Sequence, residues 1–510
     1  MSLSSCLSSA TSSVQFSGSS VSLFSSSMSF GANKRAIASN GVPQAFTYPA
    51  NENEAAAIIK CAAQYNATVS PRCGGHSYEG FSIVNQAVII DLSSFTEVTV
   101  DAASQTAIVG AGNWLGRVYN QLELNGRFVL PGGTCPGVGV SGHTLGGGYG
   151  LLSRKLGIPS DAVLEVRLID ATGTLKTVNA QTDSELFWAL RGAGANNFGL
   201  VTSFKFKVFP LPPVLSMKQY SWENTVANRQ ALITGFTTYG PSLPNEITST
   251  IYVDSTYLSL NVYYWGPLSG IDSTVSSFLS KLPAGRNNGN QGEYSGYLDL
   301  ILFLGKTTRS MIEDRSQLQE SDWFKASSLY GNSAPSSDAI NALTEGGPIA
   351  IGSVKQAFVM LDLWGGAISS VDASATAFVH RDKNQVGYQL WWGWNSGSDE
   401  LPAFNKWRAS VATYIKDGSY QNYVDRTVSL VDYYGKEGLS KLGKVKARMD
   451  PLGLWKYEGG VPASAGTGFG AVSGKGSNAV DSAGATSGGN RLCRAIAIAF
   501  VASLFSILVV

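Results

Sequence analysis

Two short stretches hold residue types suited to cofactor chemistry: "PRCGGHSYEG" at 71–80 and "PGGTCPGVGVSGHTLGGGYG" at 131–150. The 510-residue chain has only three histidines and five cysteines, and two of each fall here. Consecutive glycines let successive backbone N–H groups converge on an anion without side-chain interference, so both stretches suit a pyrophosphate cradle. If the cradled group is a flavin, two further residues acquire a reason. An imidazole nitrogen can add to the 8α-methyl of the isoalloxazine and a thiolate to its C6, which makes His76 and Cys135 candidate covalent tethers. Taken singly, a histidine in a turn reads as a capping residue and a cysteine beside proline as inert. It is the pair that calls for a common explanation.

A second nucleotide pattern overlaps the first. Gly137, Gly139 and Gly142 spell G-x-G-x-x-G, with Asp161 about twenty residues further on, as in a dinucleotide fingerprint. The context argues against it. Gly146, Gly147 and Gly148 follow where a helix should run, at a cost of about 1 kcal/mol each, and Asp161 follows "GIPS" rather than a strand.

Four other segments extend the pattern: "DSELFWALRG" at 183–192, "FGLVTSFKFKVFP" at 198–210, "YQNYVD" at 420–425 and "YYGKEGLSKLGKVKARMDP" at 433–451. With "GGHSY" and "GTCPGVGVSGHTLGGGYG" they resemble the PCMH-type FAD-binding family in its berberine bridge enzyme-like branch. Within that branch the likeness is to fungal oligosaccharide oxidases with bicovalent FAD, and it spans nearly everything from 40 to 455.

The resemblance implies an FAD-dependent oxidase that moves hydride from a substrate alcohol, such as the anomeric hydroxyl of a sugar, to the flavin and on to oxygen as peroxide. His76 matches the 8α-linked histidine and Cys135 the 6-S-linked cysteine. Arg72, Gly74, Gly75 and Ser77 match the phosphate turn, Gly139, Gly142, Gly146 and Gly147 the second loop, and Val201 the approach to the adenine side. His143 matches a histidine beside the flavin ring, although alone it reads equally as a satisfied core histidine. Val138 falls where a gate residue governs access of oxygen.

For catalysis a base must take the hydroxyl proton as the hydride leaves. Tyr423 matches the tyrosine that the resembling oxidases use, and it needs help, because a phenol near pKa 10 is a poor base. Asp362 in "MLDLWGG" falls where those oxidases place an assisting carboxylate, or else is an ordinary strand-end aspartate. Tyr78 and Tyr149 are expected in the pocket. On the strand bearing Trp391, Trp392 and Trp394, alternation puts Trp392 and Trp394 on one face, as a sugar platform or as core. Two departures concern substrate identity: Cys73 stands in the phosphate turn, and "MDPLGLW" replaces an aromatic-Asp-Pro ending.

The elements that must position these residues are legible in outline. Residues 40–211 read as an α+β cofactor-binding domain, with a helix in "NENEAAAIIKCAAQYNA", a strand "ATVSPR", an amphipathic helix at 114–124 and a hairpin turning at Asp170 to Gly173. Residues 212–417 read as a substrate domain, an antiparallel sheet flanked by helices near 225–238, 270–281 and 403–416. The chain returns to the first domain over 418–458. Residues 1–39 read as an N-terminal extension that a Cys6–Cys61 bridge could pin in an oxidising compartment, and Asn66 in "NAT" is a glycosylation sequon.

Hydrophobic residues at 44%, charged residues at 14% and a net charge of +1 exclude an electrostatic case for nucleic acid. From 459 to 494 the chain is a Gly/Ser/Ala linker expected to be disordered. Residues 495–510 are an apolar tail resembling a glycosylphosphatidylinositol attachment signal, with a plain tail anchor as the alternative. Such an anchor implies secretion to the cell surface. A start that is processed or incomplete would account for the missing leader. Two other functions fit the same motifs: a secondary-metabolite oxidase or oxidative cyclase, and a non-catalytic surface protein that keeps the fold.

Overall fold

The computed structural model describes residues 2–17, 21–318, 321–347, 356–395 and 399–463. The expected apolar tail and the linker from 464 onward lie outside them.

The helix Glu52–Gln64 shows how local sequence sets the first half. The Asn51 side chain accepts a hydrogen bond from the Glu54 N–H, Glu52 and Glu54 occupy the first turn, and Ala55, Ile58, Ile59 and Ala62 bury one stripe. That stripe packs in the core with the strands Val69–Arg72 and Val88–Asp91, which run parallel. The strand Ala45–Thr47 joins them, also parallel to Val88–Asp91, and Val14–Phe16 closes the small sheet antiparallel to it. The segment 1–39, read from sequence as an extension, thus supplies the strand Val14–Phe16 to this sheet, and the Cys6–Cys61 disulfide holds the helix Leu3–Ala10 against Glu52–Gln64.

A five-stranded antiparallel sheet completes this half, in the order Val98–Asp101, Thr106–Gly110, Leu200–Lys207, Val163–Ile169, Leu175–Val178. The hairpin turns where expected, with Asp170 accepting from the backbone N–H groups of Thr172 and Thr174. The second half is a seven-stranded antiparallel sheet ordered Asn287–Tyr294, Leu215–Trp222, Leu258–Tyr264, Ile247–Asp254, Gln356–Leu363, Val386–Gly393, Phe324–Gly331. Helices Val226–Tyr239, Ile271–Leu279, Ser337–Thr344 and Leu401–Ala412 bury apolar side chains in the core against one face. The α+β architecture holds throughout.

Two excursions bind the halves together. Residues 297–318 leave the second sheet and bury Leu298, Ile301, Leu304 and Ile312 in the first core. Here the Tyr297 hydroxyl donates to Gly132 O and the Trp114 indole to Ile312 O. After Tyr420 the chain returns to the first half, where the Tyr434 hydroxyl donates to Ala193 O.

Candidate active site

A cavity of about 670 Å³ runs between the two halves, and most of the residues singled out above line it. Its floor is set by the end of the strand Val69–Arg72. The Arg72 guanidinium is buried, paired with Asp91 at 2.7 Å, donating to Ser27 O and lying against the rings of Phe30 and Phe46. Arg72 therefore does not reach into the cavity, contrary to the role expected of it in the phosphate turn. It fixes the strand end from which Cys73, Gly74, Gly75, His76 and Ser77 emerge as cavity lining.

The second glycine stretch presses directly on this turn. A Cβ on Gly74 would sit 2.3 Å from the Gly139 nitrogen, so only glycine allows the two backbones to meet. A six-residue helix, Val140–Leu145, does begin after Gly139, although the glycine run argues against one from sequence. It ends at Gly146. Asp161 is paired with Arg381 at 2.7 Å, which leaves no dinucleotide fingerprint.

Gly139 and Gly142 line the cavity, whereas Gly146 and Gly147 do not. Their reason is different. A Cβ on Gly146 would collide with the Asn422 side chain and one on Gly147 with the Phe378 ring, so these glycines let the 420–423 segment and its neighbours close in.

Cys135, Val138, His143 and Val201 line the cavity. His143 Nε2 accepts the Gly133 N–H at 3.1 Å, which puts the ring proton on Nδ1. Burial lowers both His76 and His143 to about 4, so each imidazole is neutral at physiological pH. A neutral His76 has a free lone pair, as a nucleophilic tether requires. Cys135 and Cys73 are free thiols, and Cys73 donates to Asn113 O while burial pushes its thiol pKa up. His380 lies off the cavity, its Nε2 3.0 Å from Tyr433 O.

The opposite wall is the second sheet. On Gln356–Leu363 the even positions Gln356, Phe358, Met360 and Asp362 face the cavity and the odd ones the core. Asp362 is 7% exposed, and burial lifts its carboxyl from 3.8 to about 7 despite a hydrogen bond with Thr250. Tyr423 is stacked on Tyr78 with ring centroids 5.2 Å apart, and Tyr78 meets Phe324 of this sheet edge-on. Burial, with Tyr78 and Asp362 next in effect, holds the Tyr423 phenol well above 10. Tyr149 stacks on Trp364 and donates to Leu363 O, one residue from Asp362.

The expected platform at Trp392 and Trp394 is not there. Both are buried in the core, Trp392 against Phe404 and Trp407. The strand turns its other face to the cavity, presenting Trp391 between Phe358 and Phe324 and placing Gln389 where its amide donates to the Tyr78 hydroxyl at 2.5 Å. Sequence reading missed Gln389 and named Trp391 only as a member of the tryptophan cluster. Their signal was the alternation Gly387, Gln389, Trp391, which identifies a face without saying which side is covered.

The family model for an FAD binding domain matches residues 43–179. Among solved structures, BBE-like 1 of Physcomitrella patens is 31% identical with a TM-score of 0.82, over 91% of this chain and all of that one. The chain belongs to the berberine bridge enzyme-like family. Berberine bridge enzyme-like C-1 of Nicotiana tabacum is 28% identical, covering 85% of this chain and 88% of that protein. The xylooligosaccharide oxidase of Thermothelomyces thermophilus is 27% identical, with 81% and 86% covered. A structure titled as a xylooligosaccharide oxidase from Myceliophthora thermophila C1 in complex with xylobiose aligns at a TM-score of 0.80 and 25% identity, over 92% of this chain and all of that one.

The protein is thus an FAD-linked oxidoreductase, and its cavity suits the cofactor. A Cβ on Gly142 would meet nothing within 4 Å, so this turn of the helix Val140–Leu145 borders open space rather than protein. Asn196 also lines the cavity, and its Oδ1 is buried with no hydrogen-bond partner among the described residues. An unpaired buried acceptor costs about 1–3 kcal/mol unless a ligand or water satisfies it.

Proposed function

We propose that this berberine bridge enzyme-like protein is an oxidase that converts a substrate alcohol to a carbonyl, with a sugar or oligosaccharide hydroxyl at the anomeric carbon as the donor and a lactone as the product. The observation that carries this reading is the pairing, across one cavity, of two candidate tethers with a phenol and a carboxyl. His76 and Cys135 stand on the glycine turns, and Tyr423 and Asp362 line the same cavity. Bound FAD supplies the two-electron acceptor for hydride and hands the electrons to oxygen, giving hydrogen peroxide.

His76 and Cys135 would hold the isoalloxazine through two covalent bonds, while Gly74, Gly75 and Ser77 with Gly139 and Gly142 would receive the pyrophosphate. The chain's own catalytic work is proton management. Loss of hydride from the carbinol carbon leaves a carbonyl only if the hydroxyl proton departs as well. The Tyr423 phenol is too weak an acid to stand ionised at neutral pH, so it cannot act as the base unaided. Asp362, titrating at about 7, is the group in the cavity able to keep the proton. Tyr423 takes the substrate proton as it gives up its own, and Asp362 ends protonated.

Val138, which lines the cavity three residues after Cys135, would serve as the gate, its small side chain leaving a path for oxygen. The names of the oligosaccharide oxidases among the relatives support the sugar reading. The Cys6–Cys61 disulfide supports an oxidising compartment, hence secretion; surface attachment through the tail rests on sequence alone. A screen that reads peroxide over mono- and oligosaccharides, benzylic alcohols and amine metabolites tests the proposal. Turnover on a reducing sugar with stoichiometric peroxide is expected, and turnover confined to the non-sugar substrates would overturn the sugar assignment.

A further inference from the structure

A buried charged cluster lies outside the cavity, directly behind the Tyr78–Tyr423 stack. Its carboxylates belong to the two active-site loops: Glu79 follows Tyr78, and Asp425 lies two residues after Tyr423. Each side chain is 0% exposed. Between them is Lys325, 2% exposed, on the edge strand Phe324–Gly331 of the second sheet. Its ammonium donates to Glu79 and, at 2.6 Å, to Asp425 Oδ1.

Ser327 also hydrogen-bonds the Asp425 carboxylate. Arg35 and Arg426 each stand 3.0 Å from Glu79, and Arg426 also pairs with Glu458 at the surface. Arg408 is 3.8 Å from Asp425, which also accepts from the backbone N–H and hydroxyl of Thr427. The Tyr433 hydroxyl accepts the Asp425 N–H. Among these contacts, Lys325 alone bridges the two carboxylates.

We propose that Lys325 is a positioning residue: by bridging Glu79 and Asp425 it holds the His76–Tyr78 turn and the Tyr423 segment in register with each other and with the second sheet. This rests on the roles proposed for His76 and Tyr423. Buried ion pairs add little net stability, because desolvation offsets the attraction. What this one supplies is geometry. The Tyr78–Tyr423 stack is worth about 0.5–1.5 kcal/mol, too weak to fix two loops by itself, and Arg426 adds a partly exposed tie from the Tyr423 segment to the Glu79 carboxylate and carbonyl oxygen. Lys325 links the backbones just behind both rings and ties them to the sheet that carries Asp362 and Gln389.

The test uses the flavin-loaded protein and Lys325→Met, which keeps the length and apolar stem and removes the bridge. Hydrogen exchange read by mass spectrometry should accelerate by about tenfold or more in both 76–80 and 421–426, with the distant strand 163–169 unmoved, as expected for local loosening. The limiting rate of anaerobic flavin reduction should fall by about tenfold or more with substrate affinity within about twofold, since small misplacements cost rate rather than binding. Exchange rising in only one of the two loops, or in neither, would overturn the clamp. So would loosening of both loops with the reduction rate unchanged.

If Lys325→Met does not fold, Asp425→Asn carries the test, with faster exchange in 421–426 and slower reduction expected and an unchanged reduction rate refuting it. The exchange measurement needs no substrate, so an error in the proposed substrate class leaves it intact.

Discussion

Replacing Asp362 by asparagine should make the protein more stable and less active, and the stability gain should depend on pH. In the folded chain the carboxyl keeps its proton to about 7, against an ordinary value of 3.8. A folded-state pKa above the unfolded one means that the folded chain binds more protons in that window, so stability falls as pH rises from about 4 to about 7 and the cost is complete above it. At roughly 1.4 kcal/mol per pH unit, burying this carboxylate costs up to about 4 kcal/mol in alkaline solution. The introduced amide would be neutral at every pH and its carbonyl could still accept from the Thr250 hydroxyl, so Asp362→Asn recovers most of that cost. Thermal unfolding at a fixed scan rate, from about pH 4 to 9, should give a melting-temperature difference near zero at the acid end. It should then grow to several degrees above neutrality, given about 2–4 °C per kcal/mol in domains of 150–250 residues and less in a longer chain. The same variant should lose the rise of flavin reduction rate with pH that Asp362 imposes as proton acceptor. A melting-temperature difference that stays flat across the range, or a pH profile of reduction unchanged from wild type, would refute the reasoning.

Other substitutions separate roles within the site. Tyr423→Phe should leave flavin loading intact and slow anaerobic reduction by roughly 10²–10⁴, the range for loss of a general acid–base group; equal rates would remove Tyr423 from proton transfer. Val138→Leu should slow reoxidation by oxygen while sparing reduction and dye-coupled turnover, because an added methylene closes a small void in a packed wall. A loss shared equally by both half-reactions would mean that Val138 only packs. Opening the 55-residue loop with Cys6→Ser and Cys61→Ser should cost up to about 4 kcal/mol by chain entropy, read as a lower midpoint in denaturant with the spectrum of the flavin unchanged. An unaltered midpoint would show that strand pairing of Val14–Phe16 alone secures this segment.

How far the sequence reveals this molecule differs from element to element. Local rules sufficed for the helix Glu52–Gln64, whose cap and apolar stripe are consecutive, and for the hairpin at Asp170 to Gly173. They also isolated His76 and Cys135, because rare residues in glycine turns stand out. What local rules miss is direction. Arg72 sits in the phosphate turn by sequence, yet Asp91, nineteen residues later, draws its guanidinium away from the cavity. The strand Val386–Gly393 alternates plainly, but tryptophan on both faces leaves the covered side undetermined until the helix Leu401–Ala412 packs against Trp392. The strand Ala45–Thr47 is too short to announce itself and exists because Val88–Asp91 pairs with it. Lys325, an ordinary lysine in the sequence, is placed by partners 246 and 100 residues away.

The central claim is that the cavity holds FAD through His76 and Cys135, and intact mass of the denatured protein tests it most directly. The mass of one FAD should remain on the wild type after acid precipitation, and on either His76→Ala or Cys135→Ala, but leave when both are replaced. Release of free FAD from the denatured wild type, or retention in the double variant, would contradict the account.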